Sequence, residues 1–100
     1  MVNSMKIRIS YDDMYRVLLL LNRKIEKIDL YKYINKMMSH KYDVFSFRSS
    51  RLINISKDDC EYLISCIKEI VGVAKDLYTI IEYQGLLDRF TKQCNKVEAK

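Results

Sequence analysis

One hundred residues, 49% of them hydrophobic, can build one modest core and leave no room for a second domain of ordinary size. Charged residues make up 31% with both signs interspersed, and the formal charge is +5. This mixture excludes the apolar-poor, one-sided composition of a disordered chain. With no proline, no tryptophan and only two glycines, Gly72 and Gly85, there are few helix breakers, so helix is predicted to dominate. The longest uninterrupted apolar run, Val17 to Leu21, is far short of the roughly 20 residues that cross a bilayer. Residues 1–5 lack the basic start and apolar stretch of an export signal, so a cytoplasmic protein without membrane association is expected.

In chain order, Ile7 and Ile9 alternate with Lys6, Arg8 and Ser10 at the two-residue period of a half-buried strand. Ser10 then stands three residues before Asp13, a spacing that lets its hydroxyl cap a helix. Asp12 and Asp13 place negative charge in the first helical turn, where the backbone dipole favours it. They read as a helix start and not as a catalytic carboxylate pair. Val17, Leu18, Leu21 and Ile25 follow at helical spacing, and Leu19 and Leu20 widen the apolar face until it is nearly surrounded. Asp29 is the expected cap of a second helix carrying Leu30, Tyr31, Ile34, Met37 and Met38.

Residues 40–50 have no clear period and form a connector, within which Val44, Phe45, Ser46 and Phe47 suit a short additional strand. The same order then returns. Ile7, Ile9, Ser10, Asp12 and Asp13 match Ile53, Ile55, Ser56, Asp58 and Asp59 at an offset of 46. Tyr62, Leu63, Ile64, Ile67, Ile70 and Val71 supply the next helical face. Asp29, Leu30, Tyr31 and Ile34 match Asp76, Leu77, Tyr78 and Ile81 at an offset of 47, with Leu86 and Leu87 continuing the last helix. Polar residues 91–100 are expected to fray. The chain therefore reads as a single mainly α domain (α+β with two short strands), made of two strand-helix-helix repeats at about residues 5–39 and 51–90.

A strand of alternating residues, a Ser-x-x-acid helix start and two helices in about 45 residues resemble the ribbon-helix-helix fold. The resemblance implies that the two repeats pair their strands within one chain and that the ribbon enters the major groove of duplex DNA. It further implies that Lys6, Arg8 and Ser10, with Leu52, Asn54 and Ser56, face outward and the isoleucines inward. Arginine and asparagine can read base edges, so Lys6, Arg8 and Asn54 are the expected nucleic-acid-binding residues. Leu52 departs from a polar reading face.

Charge points the same way. Residues 1–50 hold ten Lys/Arg and five Asp/Glu, whereas residues 51–100 hold eight of each, and such asymmetry suits an acidic partner. An ordinary solvated face explains Arg16, Arg23, Lys24, Lys27, Lys32 and Lys36 equally well.

Enzymatic equipment is missing from the sequence. The single histidine, His40, falls in the connector, and there is no phosphate-cradling glycine loop. Cys60, Cys66 and Cys94 are odd in number and lack metal-ligand spacing; they read as core packing. Ser46, Ser49 and Ser50 near Arg48 and Arg51 read as a solvated loop. A non-enzyme with no catalytic residues, metal or cofactor is expected. Its leading function is a small DNA-binding transcriptional regulator. The alternative is a protein-interaction or oligomerisation module using Tyr11, Tyr15, Tyr33 and Met38, since aromatic residues and methionine are favoured at interfaces. A pocket for a small ligand between the repeats is a third, weaker reading.

Overall fold

The computed structural model describes residues 4–39 and 50–98. Their order is β1 (Ser4–Ser10), α1 (Tyr11–Leu21), a 3-10 turn (Ile25–Lys27), α2 (Ile28–Ser39), β2 (Ser50–Ser56), α3 (Lys57–Val73) and α4 (Leu77–Glu98). Helix accounts for 76% of the described residues, and β1 and β2 pair in a two-stranded antiparallel sheet. The fold is thus mainly α, with two strand-helix-helix repeats. His40 and the rest of the connector up to residue 49, including the strand expected near Val44, lie outside the described residues. No helix among the described residues is long and apolar enough to cross a membrane.

Both strands alternate as their sequences require. Met5, Ile7 and Ile9 are buried between exposed Ser4, Lys6 and Arg8, and Ile53 and Ile55 are buried on either side of exposed Asn54. Each strand passes directly into a helix. At Ser10 the backbone is still extended (φ −70°, ψ 155°), and its Oγ accepts the Asp13 N–H at 3.1 Å. Ser56 repeats this almost unchanged (φ −74°, ψ 157°), accepting the Asp59 N–H at 3.1 Å. Each cap satisfies an amide that the helix itself leaves without an acceptor.

The chain forms two compact units, divided within the strands. One contains β1 as far as Ile7, β2 from Asn54, and α3 and α4. Its buried apolar residues are Met5, Ile7, Ile55, Cys60, Leu63, Ile67, Leu86, Phe90 and Cys94. Ala74 ends α3 in an extended conformation while its N–H donates to the Ile70 carbonyl at 2.9 Å, and three residues later α4 begins. Asp76 caps α4 by accepting both the Thr79 N–H (2.9 Å) and the Thr79 Oγ1–H (2.8 Å) on one carboxylate oxygen.

The other unit contains β1 from Arg8, β2 as far as Ile53, and α1, the 3-10 turn and α2. Helix α1 is covered on most sides, through Tyr11, Asp13, Met14, Val17, Leu18, Leu20 and Leu21. Tyr15 and Leu19, one turn apart, stay exposed. Asp13 is buried as a charged group but meets the Arg16 Nη1–H at 2.9 Å.

Three expectations are corrected. Ile25 is exposed, because α1 stops at Leu21 and a 3-10 turn intervenes. Asp29 is not a cap; α2 starts at Ile28, so Asp29 lies inside the first turn, where its charge still suits the dipole. The described part of the stretch from Thr91 is helical and not frayed, since α4 runs to Glu98 and buries Cys94.

A fourth correction concerns packing register. Leu77, Tyr78 and Ile81, matched to buried Leu30, half-buried Tyr31 and buried Ile34, are 69%, 70% and 63% exposed. Helix α3 has 17 residues against 11 in α1, and α4 has 22 against 12 in α2. The longer hairpin carries the start of α4 past the core. The residues with the burial of Leu30 and Ile34 are therefore Leu86 and Phe90, 56 positions on rather than 47.

Two measurements follow from the caps. Ser10→Ala and Ser56→Ala should each lower the unfolding free energy by about 1 kcal/mol in urea titrations, and by similar amounts because the two geometries agree. The Thr79 hydroxyl and then its amide, both bonded to Asp76, hold the Asp76 carboxyl below the ordinary carboxylate value. The cap's contribution is therefore fully present above the unfolded carboxyl's pKa and is lost as pH falls through the lower folded value. An NMR titration should show the Asp76 midpoint rising toward the ordinary value in Thr79→Ala.

Candidate nucleic-acid interface

The exposed side of the strands is set by the alternation that buries the isoleucines. In the α3–α4 unit it presents Ser4, Lys6 and Asn54; in the α1–α2 unit it presents Arg8 and Leu52. Lys6, Arg8 and Asn54 are thus all exposed. The Arg8 guanidinium is steadied by its strand neighbour, donating from Nη1 to Ser50 Oγ at 3.3 Å. That bond orients the arginine across the strand pair and leaves it at the surface. Leu52 is half exposed, an apolar residue beside these polar ones.

Ser10 and Ser56 are not part of this exposed face. Both are half-buried, with their hydroxyls accepting from the capped helices. Their position at the end of the strand alternation suggested an outward side chain, but the helix start claims the hydroxyl. Met5 continues the buried set at the other end of β1, a role the isoleucine alternation already implied two residues earlier.

The charge is divided as unevenly between the units as between the halves of the sequence. The Arg8–Ile53 segment holds ten Lys/Arg and five Asp/Glu, so the whole formal +5 belongs to it. Arg8, Arg23, Lys32 and Lys36 of this unit are exposed, whereas Arg16 is half-buried and engaged by Asp13. Of the serine and arginine cluster, Ser46, Arg48 and Ser49 lie outside the described residues, whereas Ser50 and Arg51 belong to β2 and not to a loop, because the strand begins at Ser50.

The aromatic and methionine set expected for a protein interface is not assembled at the surface. Tyr11 is buried, Tyr33 and Met38 are half-buried, and only Tyr15 is exposed. Exposed apolar side chains gather instead at the α3–α4 turn, where Val73 ends α3 and Leu77, Tyr78 and Ile81 share the first turns of α4. Their apolar character suggested a core in the sequence; only the greater length of the hairpin shows otherwise. Among the described residues, no three His, Cys, Asp or Glu side chains are grouped to hold a metal ion. Comparison with protein-family models, curated proteins and solved structures gave no match.

The two sides of the strands should respond oppositely to substitution. Ile53→Asn places an amide at a buried position and should cost roughly 2–4 kcal/mol or prevent folding. Asn54→Ala, one residue on, should stay within about 1 kcal/mol of wild type. Comparable losses in urea titrations would mean that the alternation is wrongly assigned.

Proposed function

We propose that this chain is a small DNA-binding protein, a transcriptional regulator that presents a two-stranded ribbon to the major groove in the manner of ribbon-helix-helix proteins. The observation carrying this reading is the alternation on the paired strands, in which Lys6, Arg8 and Asn54 are exposed while Ile7, Ile9, Ile53 and Ile55 are buried. A two-stranded ribbon fits the width of the major groove. Arg8 can donate a fork of hydrogen bonds to guanine, Asn54 can pair with adenine, and Lys6 can neutralise phosphate. Arg23, Lys32 and Lys36 add positive charge that attracts the backbone without reading sequence. Leu52 supplies an apolar surface suited to a thymine methyl group.

A second reading has its own observation. Val73, Leu77, Tyr78 and Ile81 expose apolar surface at the α3–α4 turn, the kind of surface that a protein-interaction or oligomerisation module uses. A sedimentation mass above 12.0 kDa, reduced by Leu77→Ser/Ile81→Ser, together with no affinity for DNA, would favour that module.

Fluorescence anisotropy with a labelled mixed-sequence duplex, over a range of salt concentrations, tests the first reading. Wild type should bind with an affinity that falls steeply with salt. Lys6→Ala/Arg8→Ala, checked for folding by circular dichroism, should bind more weakly, its log-log salt slope smaller by about one for each phosphate the variant no longer neutralises. Absence of binding by wild type at low salt would overturn the proposal.

A further inference from the structure

Cys60 lies in the first turn of α3, four residues after the Ser56 cap, and Cys94 lies near the end of α4. Although 34 positions apart, they meet because the short turn at Ala74 folds α4 back along α3. Their sulfurs are 2.7 Å apart. That separation is nearer the roughly 2.05 Å of a disulfide than the roughly 3.5–4.0 Å at which non-bonded atoms of similar size pack. Neither is joined in a disulfide, and they are 1% and 5% exposed. Cys66 lies six residues further along α3, about 9 Å away along the helix axis, and is only half-buried.

We propose that Cys60 and Cys94 form a reversible disulfide, closed by a small-molecule disulfide such as oxidised glutathione, that locks the end of α4 onto the start of α3. The Cys94 thiolate, the more exposed of the two, attacks one sulfur of glutathione disulfide and expels a glutathione thiolate. The Cys60 thiolate then attacks the Cys94 sulfur, closes the protein bond and expels the second glutathione. The protein loses two electrons and two thiol protons, and two molecules of reduced glutathione carry them away.

Burial sets the rate. Because Cys94 is covered, the last turns of α4 must open before the first attack, and helix ends open at lower free energy than helix centres. Once a mixed disulfide forms, reclosure of those turns returns Cys94 to Cys60 and favours intramolecular closure. The resulting ring encloses the α3–α4 turn and removes freedom from the unfolded chain. It fastens the helix pair at the end where Ser56 joins β2 to α3. This inference rests on the α3–α4 packing alone and is independent of DNA binding.

The test equilibrates wild type and Cys66→Ser with a series of oxidised-to-reduced glutathione ratios, blocks remaining thiols by alkylation and digests with trypsin. Cleavage after Lys57, Lys68, Lys92 and Lys96 puts Cys60 and Cys66 together on peptide 58–68 and Cys94 on peptide 93–96. Removing Cys66 therefore makes the assignment unique. Expected is a 58–68/93–96 cross-link in oxidised monomer of both proteins, reversed by dithiothreitol. Backbone hydrogen exchange in the last turns of α4 should also slow by about tenfold or more. A glutathione adduct that never resolves to the cross-link in Cys66→Ser, or linkage only between separate chains, would each overturn the proposal.

Discussion

The direct passage from strand to helix governs both repeats. No loop residue separates Ser10 from Tyr11 or Ser56 from Lys57, and in each case a serine hydroxyl holds the amide three residues on. This junction fixes the phase between the two-residue period of the strand and the 3.6-residue period of the helix. Consequently Ile9, Met14, Val17 and Leu21 are buried together in one copy, and Ile55, Cys60, Leu63 and Ile67 in the other, at a constant offset of 46. One extra residue at the junction would turn the helix by roughly 100° and direct that apolar series away from the core.

This also explains which parts of the structure could be read from the sequence. Strand alternation and serine capping are decided within a few residues, so β1, β2, the starts of α1 and α3, and the exposure of Lys6, Arg8 and Asn54 were all legible. Both second helices were legible too, but the packing register of the last one was not. Asp76 does start α4, as its side chain suggests, but a helix start says nothing about which turn later meets the core. That depends on the length of α3, which no local signal sets. The apolar character of Leu77, Tyr78 and Ile81 therefore suggests a core position, whereas Leu86, Phe90 and Cys94 hold the buried positions. The approach of Cys60 to Cys94 was hidden for the same reason: it depends on how far α4 travels back along α3.

The two copies have also diverged in how they treat charge. Asp13 is buried and paired with Arg16, so the first copy places an ion pair where a helix starts; the cost of burying the carboxylate is offset by the pair and the helix dipole together. The second copy has Tyr62 at the position matching Arg16, and its Asp59 is half-buried. The excess positive charge stays with Arg8–Ile53, so the duplicated architecture is more symmetric than its electrostatic field.

The fixed strand-helix junctions leave each copy with a free end of another kind, the turn between its helices. Growth there lengthens two antiparallel helices without changing the phase of any strand, and α3 and α4 differ from α1 and α2 in this way, with 17 and 22 residues against 11 and 12. A duplicated chain of this design can drift in length at its helix tips while its strand-proximal half stays under tight steric constraint. Among the described residues, the α3–α4 tip is accordingly where the two copies differ most in length.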